Sequence, residues 1–435
     1  MKETSLPRGV QETPLGQYPE SWSVEPIGEI FEIFAGGDLR KAELSDVQTP
    51  QHPFPIFSNT LNKKGLYGYC STFDSTGPAI TVTARGGIGH AEFRDGKFCA
   101  IGRLLVLRPI SNDDCEFFAA YLNNCVSFAN ESTGVPQLTA PQVAKYLVAR
   151  PEFREQKKIA NTIADIDSLL GCVGKLIVKK QAIKTATMQQ LLTGKSRLPK
   201  FGKHPDGTLK GTKQSELGEI PEDWEIVRIG QEATLVTKGT TPTSIGRSFT
   251  PDGINFVKVE SILESGELDE TRFAYIDQST NNLLARSKLQ EHDILISIAG
   301  ALGRAAVVNK KLLPANTNQA LAVIRLKNNS KLFGDFLFHY TKSQAFKDKV
   351  EAIGVQGAQP NLSLADISGF PVVAPSTEEQ AAIATILSDI NKDIQTLEQR
   401  LNKIFEIKQG MMQQLLTSKI RLVEPETAPA HDTGE

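Results

Sequence analysis

The sequence predicts an α+β protein: two mixed α/β domains separated by a pair of long antiparallel coiled-coil helices, arranged as an internal pseudo-twofold repeat. Three observations predict it. An opening motif occurs twice, a long helical segment with an apolar seam occurs twice, and the stretches between them carry short strand-like runs punctuated by glycine.

The opening motif, Leu15-Gly16-Gln17-Tyr18-Pro19-Glu20-Ser21-Trp22, returns 202 residues later as Leu217-Gly218-Glu219-Ile220-Pro221-Glu222-Asp223-Trp224, and both copies run on to Ile-Gly at Ile27-Gly28 and Ile229-Gly230. Both tryptophans of the chain stand at this one position. A second match pairs Gln156, Ile159, Ala160, Ile163, Asp165 and Ile166 with Gln380, Ile383, Ala384, Leu387, Asp389 and Ile390, and closes on MQQLLTGK at 188–195 against MQQLLTSK at 412–419, an offset of 224. The offset changes between the blocks, so a shared frame holds two divergent inserts. The expected division is a first domain at 1–150, a central helix at 151–198, a linker at 199–216, a second domain at 217–374, a distal helix at 375–422 and a flexible tail at 423–435. Pro199, Gly202, Pro205, Gly207 and Gly211, interleaved with lysines, give the linker an exposed composition.

Within the divergent domains, strands are expected at 79–83, 104–107, 255–259, 294–298 and 321–326, and helices at 115–129 and 332–352. Arg85-Gly86-Gly87-Ile88-Gly89-His90 after the first of these strands matches Ala299-Gly300-Ala301-Leu302-Gly303-Arg304 after another, so the inserts share a skeleton. In the distal helix Ile383, Leu387, Ile390, Ile394, Leu397, Leu401 and Ile404 alternate spacings of four and three, the seam of a coiled coil, until Lys408 interrupts it. Ile159, Ile163, Ile166, Leu170, Val173 and Ile177 do the same in the central helix, after which Lys180 and Lys184 occupy the seam. Both helices start after prolines, Pro151 and Pro375, and Ser376 stands three residues before Glu379 as in a capping box. A continuous helix over 154–193 would be roughly 60 Å long.

At 435 residues with 40% hydrophobic and 23% charged side chains, the chain has an ordinary globular composition. Five cysteines, without Cys-x-x-Cys spacing, suggest neither a disulfide framework nor a zinc ribbon, and reduced thiols with no leader or membrane span point to the cytoplasm. Forty-eight basic against fifty acidic residues give a formal charge of −2, so any nucleic-acid binding must come from local patches. The six histidines are scattered, which disfavours a metal site. Gly86-Gly87-Ile88-Gly89 does not complete a dinucleotide fingerprint, and Gly194-Lys195-Ser196 lacks the upstream glycine of a phosphate loop; Gly194 reads as a helix C-cap. No catalytic constellation emerges.

What remains is recognition. Amides, hydroxyls and basic groups concentrate at Asn59, Lys63, Lys64, Thr83, Arg85, His90 and Gln137 in the first domain, and at Lys238, Thr240, Thr241, Lys258, Arg304, Asn318, Gln319 and Asn361 in the second. Asn and Gln pair with adenine edges, and Arg and Lys with guanine, so these are the candidate DNA-binding residues. Residues 150–198 carry ten basic and four acidic side chains, a net +6 that either contacts phosphate or solvates a helix.

The doubled Leu-Gly-x-x-Pro-Glu-x-Trp opening, each copy followed by a divergent domain and closed by a helix ending Met-Gln-Gln-Leu-Leu-Thr-x-Lys, resembles the specificity (S) subunit of type I restriction-modification systems over residues 15–422. Gly239-Thr240-Thr241-Pro242 resembles that family's Gly-x-Thr-Pro turn, while the first copy reads Gly36-Gly37-Asp38-Leu39. The resemblance implies a non-catalytic subunit whose two target recognition domains each read one half of a split sequence on double-stranded DNA. The helix pair would fix the gap and dock two modification (methyltransferase) subunits, with Gln189, Gln190, Leu191 and Leu192 and their counterparts Gln413, Gln414, Leu415 and Leu416 as candidate partner-binding residues. Restriction subunits would join that core. S-adenosylmethionine, ATP and Mg are expected on the partners, with no cofactor in this chain and no membrane association. A stand-alone DNA-binding regulator or decoy is the alternative reading, and a coiled-coil scaffold without a DNA role is a third.

Overall fold

The structure is a computed structural model that describes residues 9–38, 44–128, 137–354 and 361–422. The expected tail at 423–435, His431, Leu39 and the last residue of the helix expected at 115–129 lie outside the described residues. Helix and strand are mixed throughout, in two compact units: Met1–Gly174 with Gln399–Glu435, and Lys175–Glu398.

In the first unit the opening motif forms an antiparallel hairpin, Val10–Thr13 against Gly16–Pro19, and delivers Trp22 to the core, where it is 1% exposed. Gly16 takes φ +105°, a conformation open to glycine, where the chain reverses. Ser23–Pro26 pairs antiparallel with Leu147–Arg150, so the two ends of the divergent segment are tied side by side. Between them lies an antiparallel four-stranded sheet in the order Ala91–Arg94, Ala79–Val82, Leu105–Pro109, Phe31–Ala35. Helix Cys115–Cys125, capped by the Asp114 carboxylate, buries Phe117 and Phe118 in one cluster with Ile80, Val82, Leu105 and Leu107 of this sheet. A second, five-stranded mixed sheet carries a parallel pair, Phe54–Phe57 with Lys97–Ala100.

The second unit repeats this plan. Thr212–Ser215 and Gly218–Pro221 form the hairpin, Glu225–Arg228 pairs with Pro371–Ala374, and the four-stranded sheet runs Ala305–Val307, Ile294–Ser297, Leu321–Leu326, Ala233–Lys238. The second mixed sheet, here three-stranded, again includes a parallel pair, Ile254–Val257 with Ala315–Thr317. The single helix expected at 332–352 is instead two, Gly334–Tyr340 and Gln344–Gly354. The break has a local cause. Thr341 Oγ1 donates to the Phe338 carbonyl at 2.7 Å and Ser343 Oγ accepts from the Phe346 N–H at 3.3 Å, so two hydroxyls compete for backbone groups that a continuous helix would use.

The two copied segments are long helices, Phe153–Leu191 and Thr377–Leu416. Seam positions Ile159, Ile163, Val173 and Ile177, and Ile383, Leu387, Ile394 and Ile404, are buried. Two of the seam lysines are neutralised: Lys408 meets Asp167 at 2.5 Å in the first unit, and Lys180 meets Asp393 at 2.7 Å in the second. Beyond the central helix Gly194 adopts φ +73°, as a C-terminal cap requires. The capping box at Ser376 is half formed. Its hydroxyl accepts from the Glu379 N–H at 3.3 Å, but the Glu379 carboxylate turns inward.

That carboxylate shows why the frame is repeated. Glu379 accepts from Trp224 Nε1 at 3.2 Å and from two nitrogens of Arg197 at 2.7 Å each. In the first unit Glu155 accepts from Trp22 Nε1 at 2.9 Å and from Arg421 at 2.6 and 2.7 Å. Gln156 and Gln380 complete each knot. Each donates to the proline carbonyl five residues back, Pro151 or Pro375, and accepts from the backbone N–H of Asp114 or Phe333, the N-cap residue of the helix that covers the sheet.

Candidate nucleic-acid interface

The two matched glycine-rich turns adopt one geometry. In the first unit Thr83 and His90 exchange a backbone bond, Thr83 N–H to His90 carbonyl at 2.9 Å, while the Thr83 hydroxyl donates to the Gly87 carbonyl and accepts from the His90 N–H at 2.9 Å. In the second, Ser297 does the same work: its N–H reaches the Arg304 carbonyl at 2.8 Å, and its hydroxyl donates to the Ala301 carbonyl and accepts from the Arg304 N–H at 2.8 Å. Gly86 and Gly89 (φ +70° and +88°) correspond to Gly300 and Gly303 (both +76°). Thr83 is thus a buried brace, and the exposed members of its turn are Arg85, Gly86 and Gly87.

A second strand-like segment joins each turn at the same place. Leu138 N–H bonds the Ala84 carbonyl at 2.9 Å, and Leu362 N–H bonds the Ile298 carbonyl at 2.9 Å. Gln137 and Asn361, each the residue before, therefore occupy equivalent positions beside the two turns. In the first unit the exposed Arg85 donates from Nε and Nη2 to the Oε1 of half-buried Gln137 at 3.2 and 2.8 Å; in the second the position of Arg85 is held by Ala299 and Asn361 is exposed.

The remaining candidates divide. Asn59 spends both ends of its amide on backbone, accepting from the Ala84 and Arg85 N–H groups at 2.7 and 3.3 Å and donating to the Gly102 carbonyl at 2.7 Å. It shapes the turn that carries Arg85. His90 Nε2 lies 3.1 Å from Glu92, and Lys258 pairs with Glu260 at 2.8 Å, the lysine holding that carboxyl below its usual range. Gln319 Oε1 accepts from the Thr241 N–H at 3.1 Å and from its hydroxyl, while the Asn318 carbonyl accepts from the Gly239 N–H at 3.0 Å. The turn at 239–242 is thereby fastened to 318–319, with Lys238 exposed and Thr240 half-buried beside it. Arg304 donates to the Ile262 carbonyl at 3.2 Å.

Lys63 and Lys64 are exposed in left-handed backbone, φ +48° and +55°. The reason lies beneath them. Arg94, 7% exposed, stacks 3.7 Å from the Phe57 ring centroid, donates to Thr81 Oγ1 at 2.9 Å and holds the Lys64 carbonyl at 2.6 Å. Burial lowers its pKa to about 10. Sequence reasoning missed Arg94, because an arginine in a short strand carries no sign that it is buried. It also missed Arg197 and Arg421, although the second match extends to Lys-x-Arg-Leu in both copies. Of the candidate docking residues, Gln189, Gln190 and Gln413 are exposed and Gln414 half-buried, whereas Leu191 and Leu192 lie in the core of the second unit and Leu415 and Leu416 in that of the first. Among the described residues no group of three or more His, Cys, Asp or Glu side chains is placed to hold a metal, and no helix is long and apolar enough to cross a membrane.

Two units built on one frame, each presenting the same braced turn with different side chains, define a duplicated recognition protein. The model of the type I restriction modification DNA specificity domain matches residues 19–177 and 221–406, and the chain belongs to that family. It is 25% identical over 420 residues to the type I restriction enzyme MjaVIII specificity subunit of Methanocaldococcus jannaschii, covering 93% of this chain and 94% of the relative. To the EcoDI specificity subunit of Escherichia coli it is 22% identical, covering 93% and 89%. The crystal structure of the S subunit of a type I restriction-modification system from M. genitalium shares its fold, with TM-score 0.58 over 94% of this chain and 97% of that one at 16% identity.

Proposed function

We propose that this chain is the DNA sequence-recognition subunit of a type I restriction-modification enzyme. Each of the two domains, 1–150 and 217–374, reads one half of a bipartite target, and the chain itself performs no catalysis. Membership of the family makes DNA recognition the role. The observation that carries the two-half reading is the repeated turn: identical bracing by Thr83 and Ser297, but Arg85 and Gln137 on one copy against Ala299 and Asn361 on the other. A constant frame with altered exposed side chains is what two different half-sites require.

The helices, 39 and 40 residues and so each about 60 Å long, would form an antiparallel coiled coil in a pseudo-twofold arrangement. Their length suits half-sites about a helical turn or more apart. The exposed amides at Gln189, Gln190 and Gln413 are then candidate contacts for two modification subunits, which would bring S-adenosylmethionine; restriction subunits using ATP and Mg would complete the enzyme in the cytoplasm.

Co-expression with a modification subunit, followed by mapping of methylated adenines across host DNA, tests this directly. The expected result is a split motif that appears only with both chains, one half of which changes when residues 15–150 are replaced by those of a relative. A change in both halves would refute the modular reading, and no new methylation despite a soluble complex would favour the regulator or decoy.

A further inference from the structure

Cations set inward on the long helices are elsewhere matched by carboxylates, as Lys180 is by Asp393 and Lys408 by Asp167. One place in the second unit breaks this rule. A cavity of about 1060 Å³ is walled by the central helix at 181–188, the turn and strand at 302–305, and residues 341–351. Lys184, Lys342, Lys347 and Arg304 all line it, opposed by two acidic residues, Glu264 and Glu351. Among the described residues none of these four cations has a carboxylate within ion-pair distance. The Lys342 ammonium is held over the Phe338 ring, 4.3 Å from its centroid, and donates to the Ser265 carbonyl; neither partner supplies a negative charge.

We propose that this cavity is a phosphate-binding site. Three lysines and an arginine lining one cavity are the residue types that take up a phosphate oxyanion, Lys342 and Arg304 being fixed by the Ser265 and Ile262 carbonyls, and Met188 and Phe346 supply an apolar wall beside them. The lysines repel one another, which disfavours their charged forms. Burial, then Lys184 and Lys347, pull Lys342 down to about 8 against the opposing pull of Glu267; burial and Lys347 lower Lys184, with Glu398 acting the other way. A bound anion offsets that repulsion, and the nearby carboxylates of Glu264, Glu351, Glu267 and Glu398 lie beyond ion-pair distance of the lysines.

Continuity identifies the phosphate. Leu302, Gly303 and Arg304, which line the cavity, are the trailing half of the turn whose leading half holds Ala299 and Gly300. A backbone phosphodiester of DNA lying on that turn is the source the position favours, and this part of the inference rests on the DNA-recognition reading. A free phosphate has the same chemistry.

The test uses the full-length chain, wild type and the double variant Lys184→Gln/Lys347→Gln. Lys347 is exposed and Lys184 half-buried, and both changes relieve repulsion, so the variant should melt no lower than wild type. Lys342→Met serves as a second variant. Two quantities are read: inorganic phosphate binding by calorimetry, and duplex DNA binding by fluorescence anisotropy over a range of salt. Loss of one seated backbone phosphate lowers the slope of log affinity against log salt by about 0.9, without altering base preference. That result supports a DNA phosphate site. Phosphate binding weakened at least about tenfold with an unchanged DNA slope supports a site for a free phosphate. Unchanged phosphate binding and an unchanged slope in both variants overturn the proposal. If wild type shows no sequence-selective DNA binding, the DNA-recognition reading fails, and the phosphate titration still decides the cavity.

Discussion

Replacing Arg421 by methionine should destabilise the first unit and leave the second untouched. Glu155, its side chain 2% exposed, accepts two bonds from Arg421, at 2.6 and 2.7 Å, and one from Trp22, at 2.9 Å. In Arg421→Met the carboxylate retains only the indole N–H. Removing one partner of a buried ion pair costs about 3 to 5 kcal/mol. The Arg421 side chain is 31% exposed, so water reaches part of the vacated site and screens the stranded charge, which lowers the cost to about 2 to 3 kcal/mol. For a unit of this size that is a fall of about 4 to 12 °C in Tm. The chain supplies its own assay, because Trp22 and Trp224, one in each unit, are its only tryptophans. In a Trp224→Phe background, urea unfolding followed by Trp22 fluorescence should show the loss; in a Trp22→Phe background, the Trp224 transition should not move. Adding Glu155→Gln should recover a good part of the stability by removing the stranded charge. A loss below about 0.5 kcal/mol, or an equal shift at Trp224, would refute the reasoning.

Two further outcomes are expected. Gly239→Ala would place a methyl 1.8 Å from the carbonyl oxygen of Thr317, itself fully buried, so the backbone must move; about 1 to 3 kcal/mol should be lost from the Trp224 transition, whereas Gly334→Ala, with nothing within 4 Å, should be nearly silent, and equal effects would refute the steric argument. His339 is 1% exposed, with Nε2 3.0 Å from Ser388 Oγ, and burial with the nearby Lys342 and Lys184 lowers its pKa to about 4. The unfolded histidine takes up its proton first, so stability is full above about pH 6.5 and declines towards pH 4 by up to about 3 kcal/mol; His339→Gln should flatten this in urea titrations at pH 7.5 and 5, and an unchanged slope would refute it.

Periodic and repeated features were legible in the sequence because they are written locally. The two long helices begin within two residues of the expected bounds, at Phe153 and Thr377, but stop short of them at Leu191 and Leu416, and the strand at 321–326 begins and ends where expected. What was not legible depends on partners far away. Glu155 and Arg421 are 266 residues apart, and nothing local distinguishes either from a solvated side chain. The repeat held the clue, since Arg197 and Arg421 follow the matched block at the same distance, but equivalence does not say what each arginine touches. Amides misled in another way. Asn59 and Gln137 have the same chemistry, yet one binds backbone on three sides and the other lies beside an exposed arginine, a difference set by the turn around them. The split of the helix expected at 332–352 was locally encoded in Thr341 and Ser343, but an apolar pattern alone overlooks hydroxyl competition.

The knot at Glu155 also sets an order of events during synthesis. The second unit is one continuous stretch, 175–398, and holds its own arginine, Arg197, a short way before Trp224. The first draws on 1–174 and on residues after 398, so Trp22, made early, waits for Arg421. As the ribosome moves along the message, the later-encoded unit can close first, and the earlier one is completed by ring closure over almost the entire chain. A stop codon just past residue 398 would therefore injure the half of the molecule that had already been translated, and spare the half beside it.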